Sequence, residues 1–168
     1  MKALSLTIMI AIFLLLCTNG ILAQTTQTKL DQVELYKQFL GTWQRNVKNA
    51  EDTTFFWETK SFGKGFEVYM KGESKGKIIW EVKSVVGYDK KNDMLIEAMI
   101  MNYSPDIDLW SIRFSSPNKH EEILLKDILN PEKATEKDIV EFKSPDLFID
   151  TYLKNNKVVK IDTLRRVK

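Results

Sequence analysis

From Gly41 onward the apolar residues of this chain recur with a period of two, and turn residues break the pattern every 8 to 12 positions. Runs rich in Trp, Phe, Tyr, Ile and Val are separated by 48–52 (KNAED), 63–65 (GKG), 72–76 (GESKG), 89–93 (DKKND), 104–106 (SPD), 115–119 (SSPNK), 144–146 (SPD) and 154–157 (KNNK). Each of these is turn chemistry. The pattern predicts eight to ten short antiparallel strands, and it lacks the strand–helix alternation of a parallel sheet. The longest polar insertion, 130–137 (NPEKATEK), has room for a helical turn. Ahead of the strands, 29–40 (KLDQVELYKQFL) spaces Leu30, Val33, Tyr36 or Lys37, and Leu40 as one short amphipathic helix. One open sheet of so many strands would expose its edges, and closing it into a barrel removes them. The expected fold is therefore all-β: a single antiparallel up-and-down barrel of eight to ten strands behind one short helix. A sandwich is the rival. A barrel of that size can hold one small ligand.

The first 23 residues have a different character. Met1-Lys2 gives a basic start, 8–17 is an unbroken apolar run of ten residues, and Ile21-Leu22-Ala23 ends on a small residue. That is the layout of a cleaved secretory signal, with Gln24 as the new N-terminus and 24–168 as one domain. Ten apolar residues are too few to span a bilayer as a helix, so no membrane span is expected after cleavage. A lipid anchor on Cys17 is the alternative, but Leu16 precedes it where a small residue is wanted. Cleavage would remove the single Cys and leave stability to burial alone, which about 145 residues can supply. The destination is the periplasm or the exterior. Basic and acidic residues number 25 and 23 and are interleaved, which excludes a nucleic-acid binder.

Three segments together resemble a known architecture. The helix runs into Leu40-Gly41-Thr42-Trp43, Gly87-Tyr88-Asp89 lies mid-chain, and 158–167 (VVKIDTLRRV) forms a last strand with arginines near its close. This resembles the lipocalin-like, calycin-type barrels, in particular exported bacterial lipocalin-like families of unknown function. The resemblance implies that Trp43 packs across a closed barrel end beneath an arginine of the last strand. Strand parity selects Arg165 over Arg166, because Val159, Ile161, Thr163, Arg165 and Val167 share the more apolar face. The chain departs from many lipocalins in lacking a disulfide and a Thr-Asp-Tyr motif.

Motifs of chemistry are sparse. No hydrolase elbow, phosphate loop or dinucleotide fingerprint occurs, so no cofactor is expected. His120, the single His, follows a turn and reads as a solvated loop residue rather than a metal or haem ligand. Glu97 lies in an apolar strand where parity allows Met94, Ile96, Ala98 and Ile100 to face in and the carboxylate to face water. The alternative turns Glu97 inward beside Arg113 as a buried pair. Trp110, Ile112 and Phe114 share one face, as do Ile78, Trp80 and Val82. A hollow barrel would then be lined by Trp57, Tyr69, Trp80 and Trp110, with Arg45 or Arg113 meeting the acidic head of an apolar or amphipathic ligand. Two other functions compete: a barrel enzyme of isomerase, cyclase or dehydratase type using Glu97 with Arg113 or Arg45, and a filled barrel acting on a protein partner.

Overall fold

A computed structural model describes residues 29–45 and 53–168. The expected signal, 1–23, and the 48–52 connection lie outside the described residues. Helix α1 (Gln32–Tyr36) continues as a 3-10 turn, Lys37–Phe39, into strand β1 (Gly41–Arg45). There follow β2 (Thr54–Phe62), β3 (Gly65–Ser74), β4 (Lys77–Asp89), β5 (Met94–Met101), β6 (Ile107–Ser116) and β7 (Lys119–Leu124). Two 3-10 turns, Leu125–Asp127 and Pro131–Lys133, occupy the long polar insertion before β8 (Glu136–Ser144), β9 (Leu147–Lys154) and β10 (Lys157–Arg166). Each strand pairs antiparallel with its neighbours in sequence, and β1 closes the ring against β10 through Trp43↔Arg166 and Arg45↔Leu164. The fold is the expected all-β up-and-down barrel, with ten strands.

The helix plugs one end. Asp31 caps it, its carboxylate accepting from the Glu34 amide at 3.0 Å. Gln32, Tyr36 and Phe39 form its buried face, and Leu30, Val33 and Leu40 pack only partly against the core. A glutamine belongs on that face because β6 and β7 shift register between Phe114 and Ser116. The Phe114 amide donates to Gln32 Oε1 at 2.7 Å, and Gln32 Nε2 donates to the Phe114 carbonyl at 3.4 Å. Backbone groups freed by the irregularity are thereby satisfied.

Trp43 is fully buried beneath the helix, donating its indole N–H to the Phe39 carbonyl at 2.8 Å. The guanidinium above it belongs to Arg166, 4.1 Å from the ring centroid, and not to Arg165. On β10 the inward residues are Asp162, Leu164 and Arg166, whereas Val159 and Ile161 are about 60% exposed. The apolar face of the last strand is its outer one. Arg166 also donates to the carbonyls of Leu40, Gln38 and Pro145. Gly41, at φ +106°, lets the chain turn there, and a Cβ would come within 3.0 Å of Arg166 Nη1.

A second correction concerns β4. Its pairing with β3 shifts register between Gly72 and Glu73, so Trp80 and Val82 face in while Ile78 stands 51% exposed. The inserted residue breaks the period of two on which a shared face for Ile78 and Trp80 rested. Gly72 is the floor under Trp80: a Cβ there would lie 2.2 Å from the indole nitrogen.

Candidate functional site

The closed end of the barrel is packed with rings. Phe39 stacks on Trp57 at 5.2 Å and meets Phe142 and Phe148 edge-on, and Trp43 sits 4.8 Å from Phe148. One level further from the helix the interior changes character. In a ring of ten strands β2, β3 and β4 lie across from β7, β8 and β9. The first group contributes Phe55, Trp57, Met70 and Trp80, and β6 adds Trp110, 8% exposed. The opposite wall is acidic. Glu122 on β7, Asp138 on β8, Asp150 on β9 and Asp162 on β10 each stand two residues from a buried core position, namely His120, Val140, Phe148 and Leu164, and so share its inward face. Glu97 on β5, 2% exposed, joins them.

Glu97 thus faces inward with Leu95, and Ile100, expected inside, is 52% exposed. Its carboxyl is hydrogen-bonded to the Ser84 hydroxyl on the neighbouring strand. Burial, reinforced by the charge of Glu122, pushes its pKa up to about 8. Desolvation raises Glu122 to about 7 as well. Burial first, then the charges of Asp150 and Glu122, lifts Asp138 to about 9. Asp150 rises to about 7 from burial, with Glu122 and Asp162 adding to it. Glu122 is the common neighbour of this group.

His120 is not a solvated loop residue. The connection before β7 is tight, and inward parity carries the ring under Phe39 and Phe114, where it is fully buried. Its Nε2 lies 2.9 Å from Glu122 Oε1. Desolvation holds the imidazole neutral, down to about 3, so the contact is a hydrogen bond and not an ion pair.

Arg45 does point inward, two residues after Trp43, but it is engaged. It binds Asp162 Oδ1 at 2.8 Å and the Thr53 carbonyl. The other Asp162 oxygen takes Lys160 at 2.6 Å. Arg113 lies on the outer surface, donating to the Asn92 carbonyl at 3.0 Å, so the structure does not bring it to Glu97. It lines a surface cleft of about 250 Å³ with Glu121 and Ile123. Tyr69 also faces outward, its hydroxyl donating to Glu81 at 2.9 Å. Trp57, Trp80 and Trp110 face the interior. Trp57 donates to Thr59 Oγ1 at 2.8 Å, whereas the Trp110 indole N–H has no partner among the described residues. Among the described residues four more buried polar atoms lack partners: the Tyr36 hydroxyl, His120 Nδ1 and Asp150 Oδ1 in the interior, and Asp127 Oδ2 on the 3-10 turn after β7.

The carboxylates of β7 to β10 are the functional candidates that sequence reasoning missed. Their signal was present, since an acid two positions from a strong core residue on a short strand shares its face.

The strands form a closed ten-stranded up-and-down barrel, capped at one end, with a mixed aromatic and acidic interior; this is compatible with a lipocalin-like fold. The chain matches no protein-family model, no curated protein and no solved structure.

Proposed function

We propose that this protein is an exported, lipocalin-like binding module that holds a small amphipathic molecule in the half of the barrel away from the helix. The observation that carries the reading is the combination of an aromatic wall with buried polar atoms that have no partner among the described residues, Trp110 Nε1 and Asp150 Oδ1 among them. A filled structural core satisfies its buried polar groups, so unpaired ones at a specific level of a barrel favour a site. The enzyme reading that joined Glu97 to Arg113 loses its geometry, because the two residues face opposite sides of the sheet.

Burying ~200 Å² of ligand gives about 5 kcal/mol, and one charge-assisted hydrogen bond adds about 2 kcal/mol, so affinity should be micromolar or weaker after ordering costs. Trp80 and Trp110 report on the chamber. Titration of apolar amphiphiles against intrinsic fluorescence should give saturable changes; a flat response up to ~1 mM would remove the proposal. Export is part of the same proposal. Mass spectrometry of protein from its native host should find Gln24 as the first residue, and retention of Met1 would reject it.

A further inference from the structure

We infer that the ligand of this chamber is an organic cation, a small amine whose ammonium group enters among Glu97, Glu122 and Asp150 while its apolar body lies against the indoles of Trp80 and Trp110. The inference rests on the binding-module reading and fixes the chemical class of what is bound.

Three observations converge on it. The first is the balance of charge facing the interior: among the described residues Glu97, Glu122, Asp138 and Asp150 have no cationic partner within salt-bridge distance, whereas Arg45 and Lys160 are both spent on Asp162. An acidic ligand would have to displace Asp162 and then face four further carboxyls. The second is independent of the acids. The Tyr36 hydroxyl, fully buried and within the field of Glu97 and Glu122, has no partner among the described residues and can accept from an ammonium, while Trp110, 8% exposed, pairs with Glu97 in the β5–β6 register. Beside them Asp150 offers an unpaired acceptor, which is what an ammonium satisfies. The third is the opposite wall. Indole and phenyl faces attract an organic cation through their quadrupoles and offer no oxygen to a hard metal ion. Among the described residues no three His, Cys, Asp or Glu side chains are spaced closely enough to ligate one metal ion.

The test uses three compounds with one apolar body: 3-phenylpropylamine, 3-phenylpropan-1-ol and 3-phenylpropanoate, titrated calorimetrically into the protein at neutral pH. The amine should bind, and the alcohol and acid should be weaker by roughly tenfold or more. Glu122→Gln and Asp150→Asn should each weaken the amine by roughly tenfold and leave the alcohol within about twofold. Both variants keep side-chain shape and remove a buried carboxyl, so their thermal midpoints should equal or exceed that of the parent. Lowered midpoints with unchanged amine affinity would mark the acids as structural and overturn the inference. Alcohol or acid binding as tightly as the amine would also overturn it while leaving the binding module standing. Competition by millimolar calcium or magnesium would reassign the carboxyls to a metal ion. Silence of all three compounds up to ~1 mM would remove the inference and the binding module together.

Discussion

Trp43, Arg166 and Gly41 form one unit, and each explains the others. The indole is buried, the guanidinium covers it, and glycine supplies both the positive φ and the clearance that the guanidinium needs. Trp43→Ala should cost about 3–5 kcal/mol in denaturant unfolding, as large buried aromatics do, and a loss below about 1 kcal/mol would show the ring to be peripheral. Arg166→Ala forfeits the stacking and three carbonyl partners, for a loss of about 2–3 kcal/mol. Arg165→Ala, on the outer face, should stay within about 0.5 kcal/mol of the parent. Equal effects of the two arginines would refute the assignment. The Gly-x-Trp opening was legible because few residues fit that place. The choice of arginine was not, because it hung on the parity of one strand.

At the scale of the element, β10 shows why parity misled. Val158, Val159 and Ile161 are more than half exposed, while Asp162 lies 6% exposed inside beside Arg45. Apolar residues inside is a one-way rule, and a barrel with a polar chamber inverts it at the strands that line the chamber. The same inversion hid Glu97 on β5 and Glu122 on β7. On β6, where Trp110, Ile112 and Phe114 all face in, alternation read correctly. Ile161→Thr should therefore change stability by no more than about 0.5 kcal/mol, and Leu164→Ala should cost about 2–5 kcal/mol. The irregular pairing of β3 with β4 was unreadable for a different reason: one extra residue shifts every face beyond it. Gly72→Ala tests that geometry, because the methyl must displace the Trp80 indole. A red-shifted Trp emission is expected, and an unchanged spectrum would show that the ring does not rest on residue 72.

For the whole molecule, the buried acids make stability depend on pH in a direction opposite to that of most proteins. The barrel closes a low-dielectric space around Glu97, Glu122, Asp138 and Asp150, and burial raises all four to between about 7 and about 9. They are faced by Tyr36 from the helix, by neutral His120 on β7, and by Asp162 with Lys160 and Arg45 on β10 and β1. At the rim Glu136 pairs with Lys154 at 3.2 Å, close to Tyr152. An unfolded chain gives up carboxyl protons near pH 4, so above that point the folded state holds protons that the unfolded state has lost. The stability these groups contribute is complete below about pH 4 and is lost progressively from there up to about pH 7 to 9, at about 1.4 kcal/mol per pH unit for each proton retained. His120 has the opposite sign. With its pKa held at about 3, it contributes stability above about 6.5 that is lost as the pH falls towards 3. Between about pH 4 and 6.5 four acids outweigh one imidazole, so the two trends together put the optimum near pH 4, with a decline above it. Urea midpoints measured from pH 4 to pH 9 should trace that curve, and Asp150→Asn should flatten its alkaline limb. Stability that holds or rises between pH 6.5 and 9 would mean that the four acids are ionised and solvated in the folded barrel. The chamber would then be a water-filled cup and not a dry pocket.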